Sequence, residues 1–178
     1  MTGQIADTFL YKGDQYALIG MKGNDLVSPE QFGMETEMLH TACYRGFYVT
    51  YELTDDGLYL REITLREPNG NYKAIEGVLP EMGAYQAIYH NLNVRVPFSG
   101  KLRLAKDFIR ELYIHMGFQK PTSFRTVYDV TLEAGRVVEL KDRSKEMEER
   151  RGTFKKHYES GNMTETIEEA FSLDMDLE

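Results

Sequence analysis

Residues 44–66 read Tyr-Arg-Gly-Phe-Tyr-Val-Thr-Tyr-Glu-Leu-Thr-Asp-Asp-Gly-Leu-Tyr-Leu-Arg-Glu-Ile-Thr-Leu-Arg, and two alternating apolar runs meet at Asp55-Asp56-Gly57. Alternation with period two puts successive side chains on opposite faces of a strand, so the stretch reads as a long β-hairpin. A three-residue loop ending in glycine suits a type I turn closed by a bulge, with Gly57 left-handed. The register that follows sets Thr54 opposite Leu58, Leu53 opposite Tyr59, Tyr51 opposite Arg61, Val49 opposite Ile63 and Phe47 opposite Leu65. Most large apolar groups then share the odd face. The even face is mixed and carries Tyr48, Thr50, Glu52 and Glu62, which have no evident packing role.

The same logic recurs on both sides. Residues 124–142 carry Glu133-Ala134-Gly135 between two alternating runs. That loop pairs Val130 with Val138 and Tyr128 with Leu140 on an apolar face, and sets Asp129 opposite Glu139 on the other. Like charges directly opposed are unfavourable in a sheet. Residues 8–19 form a third hairpin if Gly13-Asp14 is the turn, with Tyr11 opposite Tyr16 and Phe9 opposite Leu18. Val94 to Val96 and Lys101 to Ala105, around Pro97-Phe98-Ser99-Gly100, give a fourth, near 94–105.

Between these hairpins the pattern is weaker. Residues 20–43 hold Gly20, Gly23, Asn24, Pro29 and Gly33 and read as a long connection with one helical turn over Glu35 to His40. Tyr85, Ile88, Tyr89 and Leu92 fall at helical spacing, which favours a short helix over a strand. Residues 107–116 fit either a helix or a strand. Residues 143–158 read as a charged helix with a thin stripe of Met147, Phe154 and Tyr158. Asn162 caps a last helix that buries Ile167, Ala170 and Phe171.

The fold expected is therefore mainly β. It is an antiparallel hairpin meander closed into a lipocalin-like barrel or folded into a two-sheet sandwich, with short C-terminal helices. One domain covers residues 1–178: a β body over 1–142 and a helical, charged C-terminal extension over 143–178. With 42% hydrophobic residues, such a chain can close a core without disulfides or metal.

Charge narrows the partners. The net charge is −8, but residues 164–178 contain six acids and no base, so that segment holds most of it. The remaining acids nearly balance the 21 bases, which disfavours nucleic acid as a partner. No apolar run approaches the roughly 20 residues of a membrane-spanning helix. The single cysteine and the polar early residues Gln4, Asp7, Lys12 and Asp14 point to a reducing cytoplasm.

Phosphate-cradling loops, dinucleotide fingerprints and zinc spacings are missing, so no cofactor and no metal are expected. Three chemical candidates stand beside simpler readings. Cys43 follows His40 by three positions and could be an activated thiol, but a small buried thiol is the simpler reading and is preferred. Glu52 with Glu62, and Asp129 with Glu139, could divide proton donation and acceptance; on a wet sheet face Lys141, Arg61 or Arg66 would simply screen them. The twelve tyrosines could line a ligand cavity or merely fill strand faces.

Thr2-Gly3-Gln4-Ile5-Ala6-Asp7 with Tyr11-Lys12-Gly13, then Asn91-Leu92-Asn93 and His115-Met116-Gly117-Phe118-Gln119, resemble a family of bacterial, largely cyanobacterial proteins of unassigned function. The resemblance spans about residues 2–150. It implies a bacterial cytoplasmic setting and brings no activity or site. The functional expectation is a non-enzymatic module docking a protein partner, in an adaptor or immunity-like role. The alternative is a barrel holding a small apolar or aromatic ligand among tyrosines, with weak hydrolysis at the paired carboxylates behind it.

Overall fold

Period-two alternation bounded by glycine turns does produce strands here, and the fold is mainly β. The structure is a computed structural model that describes residues 2–154 and Leu173. In chain order the elements are β1 (Thr8–Tyr11), β2 (Asp14–Gly23), a 3-10 turn (Pro29–Phe32), β3 (Phe47–Leu53), β4 (Leu58–Leu65), β5 (Glu81–Met82), β6 (Ala87–Tyr89), β7 (Val94–Arg95) and β8 (Gly100–Phe108). Two further 3-10 turns (Arg110–Leu112 and Pro121–Ser123) lead to β9 (Phe124–Glu133), β10 (Arg136–Asp142) and helix α1 (Ser144–Phe154). The described strands form one sheet in the order β10-β9-β8-β2-β1-β3-β4-β6-β5, with β7 also on β4. The sheet does not close into a barrel.

The sheet is mixed, which corrects the antiparallel meander. β1 pairs antiparallel with β2 but parallel with β3, Thr8 facing Thr50 and Tyr11 facing Leu53. Parallel neighbours need a long connection between them. The stretch after β2 supplies it, which explains its length. Its helical turn lies at Pro29–Phe32 and stops at Gly33, left-handed at φ 72°, whereas Glu35 to His40 is not helical.

The hairpins form with altered registers. In β3–β4, Phe47 faces Leu65 and Val49 faces Ile63 as the alternation requires. Nearer the turn, Leu53 faces Leu58 and Tyr51 faces Leu60, with the shift absorbed beside Arg61. Thr54 and Gly57 exchange backbone bonds of 2.9 and 3.3 Å, so the loop is Asp55-Asp56, and Gly57 takes φ 154° rather than the left-handed value. The bulge turns Leu58 and Leu60 into the core and leaves Tyr59 half-buried; burying two leucines costs less than burying a phenol and a guanidinium.

In the first hairpin the turn is Lys12-Gly13, at φ 48° and 83°, and Phe9 faces Tyr16. That slip is two residues, so Phe9, Tyr16 and Leu18 keep one face. In β9–β10 the turn is Ala134-Gly135, at φ 47° and 80°, with a bulge at Val138. Asp129 therefore faces Lys141 and Glu139 faces Thr131, so the predicted Asp129–Glu139 opposition is not formed. Gly135 also donates its N–H to Phe98 O at 2.7 Å, and a Cβ there would lie 2.6 Å from Val96 O. This turn thus packs against the end of the first long hairpin.

Two further expectations are overturned. Residues 85–92 do not form a helix: Ala87 and Tyr89 pair with Leu65 and Ile63 as strand β6, and the apparent helical spacing arose from Tyr85, which is exposed. The 94–105 hairpin is absent, because β7 pairs with β4 while β8 pairs with β2 and β9. The ambiguous stretch ends β8 at Phe108 and then makes one 3-10 turn. Of the two C-terminal helices, α1 is present from Ser144; the second, with Ile167, Ala170 and Phe171, lies outside the described residues.

The main core fills the inner face. Phe9 stacks on Tyr51 with ring centroids 4.8 Å apart. The Tyr51 hydroxyl accepts the Val27 N–H at 3.1 Å, and the Tyr89 hydroxyl donates to Lys73 O at 2.7 Å. Burial pushes the Tyr89 hydroxyl up to about 12, so it remains a donor. A second cluster of Ile19, Ala105, Phe124 and Val127 lies on the reverse face beneath Met147 of α1. Tyr51→Phe should cost about 1–2 kcal/mol, because the buried Val27 N–H loses its acceptor. Urea denaturation reads this, and an unchanged midpoint would contradict the assignment.

Candidate functional site

The register of β3, β4, β6 and β5 gathers polar side chains on the outer face in rows. Tyr48 faces Thr64, which faces Ile88, which faces Glu81. One row along, Thr50 lies between Thr8 and Glu62; in the next, Glu52 faces Tyr59. The four outer-face candidates Tyr48, Thr50, Glu52 and Glu62 are thus brought together, all half-buried.

Both glutamates are already engaged. Arg61, the extra residue of the β4 bulge, donates Nε–H to Glu52 Oε2 at 2.6 Å and Nη1 to Asn93 Oδ1, and its guanidinium sits 4.9 Å from the Tyr59 ring centre. The imidazole of His90 lies between two carboxylates, Nδ1 at 2.9 Å from Glu62 and Nε2 at 3.2 Å from Glu81. This is a hydrogen-bonded row of acids, a guanidinium and an imidazole along a strand face. It orients its members and gives Glu52 and Glu62 separate partners, Arg61 and His90.

Asp129 and Glu139 part company. Asp129 is buried on the reverse face under α1, where it accepts Arg103 Nε at 2.7 Å, Arg103 Nη2 at 2.9 Å and Arg143 Nη1 at 2.9 Å. Arg143 continues to Glu146 through Nε at 2.5 Å and Nη2 at 2.6 Å. The Glu146 carboxyl is held below the usual value of 4.5 first by these bonds and further by the charge of Arg143. This chain of charges seats the helix. Glu139 is exposed, 3.5 Å from Thr131 Oγ1.

Cys43 is buried, with its Sγ 3.3 Å from Phe47 O, and burial pushes its thiol up from the ordinary value. The neighbouring His40 uses Nδ1 to accept the Ala42 N–H at 3.2 Å. The pair is a turn, with the thiol kept protonated. Tyr16, Tyr51 and Tyr89 are core residues, and Tyr16 packs between Tyr11 and Tyr128 at 6.5 and 5.8 Å. Among the described residues, no group of three or more His, Cys, Asp or Glu is placed to hold a metal ion. No described helix is long and apolar enough to cross a membrane.

The structure also exposes residues that the sequence pattern concealed. Leu79, Met82 and Tyr85 flank and form the edge strand β5, with 75%, 61% and 77% of their surfaces open. Met82 is the chain neighbour of Glu81, which belongs to the Glu81–His90–Glu62 row. Tyr85 falls within the expected helix, and Leu79 and Met82 match no period, which hid them; the available signal was three large apolar residues around Gly83. No protein-family model matches the chain, and searches of curated proteins and of solved structures returned no match.

Asp129→Asn should cost about 3 kcal/mol or more, since the buried Arg103 guanidinium loses its counter-charge and Arg143 is left with Glu146 alone. Glu139→Gln should stay within about 0.5 kcal/mol. Denaturant titration of the two variants separates buried pairing from the opposed-carboxylate register, which would instead make Glu139→Gln stabilising. Glu146 has a depressed folded-state pKa, so its contribution is present above 4.5 and disappears as pH falls through the folded value. Glu146→Gln should then lower stability at pH 7 by about 0.5 kcal/mol, allowing for partial solvent screening, and by nothing near pH 2. A pH-independent difference would contradict this.

Proposed function

We propose that this chain is a binding module, without chemistry of its own, that docks a protein partner through the β5–β6 corner in an adaptor or immunity-like role. The carrying observation is the exposure of Leu79, Met82 and Tyr85 along that edge. Large apolar side chains grouped at one edge favour an interaction surface, and Tyr and Met are residues that interface centres favour. The polar row of Glu62, His90 and Glu81, with Arg61 and Glu52 behind it, serves as the polar rim. Exposed Glu76 and Glu81 suit a partner whose apolar pocket is bordered by basic residues.

A bacterial cytoplasm is the setting that suits a chain whose one thiol, Cys43, is buried and unpaired by a disulfide. A small apolar ligand held among tyrosines is the weaker reading, since Tyr51 and Tyr89 spend their hydroxyls on Val27 and Lys73 within the packed core.

Affinity capture from an extract of the source cells should recover a partner with the unaltered protein and with Val138→Glu at the opposite edge. Met82→Glu and Tyr85→Ser should reduce recovery about tenfold, the scale of a lost interface anchor, without changing the melting temperature. Equal recovery by all four proteins, or none by the unaltered one, overturns the reading.

A further inference from the structure

From Leu79 to Tyr85 the chain follows the edge of the sheet without burying a side chain. Before this segment, Ile75 is locked in the core and exchanges backbone bonds with Val78 at 3.0 and 2.9 Å; after it, Ala87 and Tyr89 are core residues of β6. In between, β5 is joined to β6 by the pairs Glu81–Ile88 and Met82–Ala87 and by the Gly83 N–H on Gln86 O at 2.7 Å. Among the described residues of this segment, Glu81 alone has a side chain hydrogen-bonded back to the sheet, and its partner is His90.

The His90 ring has a carboxylate on each nitrogen, Glu62 of β4 at 2.9 Å from Nδ1 and Glu81 of β5 at 3.2 Å from Nε2. A neutral imidazole has one N–H and one lone pair, whereas an imidazolium has two N–H groups. Ionised carboxylates only accept, so both contacts are hydrogen bonds only while the ring is charged. When the ring loses a proton, one nitrogen turns a lone pair toward an anion and that contact opens. The Glu81 contact is the longer, and the Glu81 side chain is 75% exposed against 40% for Glu62, so it is the one released. The cations of β4 and its end are engaged elsewhere: Arg61 holds Glu52 of β3 and Asn93, and Arg66 holds Glu37. On β6 itself, Tyr89 turns its hydroxyl inward to Lys73 O.

We propose that Glu62, His90 and Glu81 form a proton-operated latch: the imidazolium fastens edge strand β5 to β4, and loss of its proton frees β5 at Glu81. Histidine is the side chain whose charge changes between about pH 5 and 8, so the latch is closed in the acid part of that range and open in the alkaline part. The bridge is open to solvent, and exposed pairs contribute little to global stability, which makes it a local control of the edge. Met82 follows Glu81 in the chain, so opening loosens the apolar corner. That use of the latch rests on the docking reading above; the latch itself does not.

Amide hydrogen exchange at Gly83, corrected for the intrinsic effect of pH, reads the latch in the full chain without a partner. Protection of that amide should fall about two- to fivefold between pH 5.5 and pH 8, the scale of one exposed ion pair, while the β8–β9 amides keep theirs. His90→Gln should abolish the difference between the two pH values. Glu81→Gln should do the same, because a carboxamide accepts from the charged ring and donates to the neutral one, and it decides alone if the His90 variant unfolds. His115→Gln should retain the difference. Gly83 protection indifferent to pH in the unaltered chain, or a difference that survives either substitution at the latch, overturns the proposal. Such a failure leaves the docking reading standing, just as a failed capture experiment leaves the latch.

Discussion

The halves of the sheet on either side of β1 meet through its four residues. To one side run β2, β8, β9 and β10; to the other run β3, β4, β6 and β5. The antiparallel bonds to β2 come with the turn, but the parallel bonds to β3 must be bought by a long return of the chain. What holds that pairing is local and mostly apolar: Phe9 against Tyr51, fixed in turn by the Tyr51 hydroxyl on Val27. At its start, the buried Asp7 carboxylate accepts the Val49 N–H at 2.8 Å and pairs with Arg45. Desolvation pushes Asp7 up, opposed by Arg45. An unpaired carboxylate could not remain there, so Arg45 belongs to the joint between the halves.

Which residues face inward was legible along β1, β2, β3 and the end of β4, but not at Leu58 and Leu60 or at the exposed Val138 and Leu140, and the pairings were less legible still. Alternation survives a slip of two, which is why Phe9, Tyr16 and Leu18 were placed on the correct face from a turn read one position late. A slip of one does not survive, and in β3–β4 the chain recovers from it with a bulge beside Arg61. No local propensity announces that bulge. It follows from the whole strand maximising apolar burial, since Leu58 and Leu60 are better core residues than Tyr59 and Arg61. The parallel pairing was equally hidden, because it joins strands separated in sequence by a loop without period.

The candidate site was legible in part for the same reason. Tyr48, Thr50, Glu52 and Glu62 share a face because period two requires it. Their partners Arg61, His90 and Glu81 come from a bulge, from the residue after β6 and from a two-residue edge strand, none of which has a pattern of its own. Asp129 stood out as a charge in an unfavourable place. The underlying tension was real, but it is desolvation beneath α1 rather than repulsion by Glu139, and Arg103 and Arg143 resolve it.

The two ends of the described sheet differ in a way that governs behaviour in concentrated solution. β10 is a long outer strand, but it is kinked at Val138 and carries Arg136, Glu139, Lys141 and Asp142. β5 is flanked and partly formed by the exposed apolar Leu79, Met82 and Tyr85 but is only two residues long. An incoming strand needs a straight row of free amides and carbonyls, and neither end offers one. The corner can therefore display Leu79, Met82 and Tyr85 to water without turning each molecule into a template for the next. Stickiness resides in side chains, where a shaped partner can read it, and is kept out of the backbone, where any chain could.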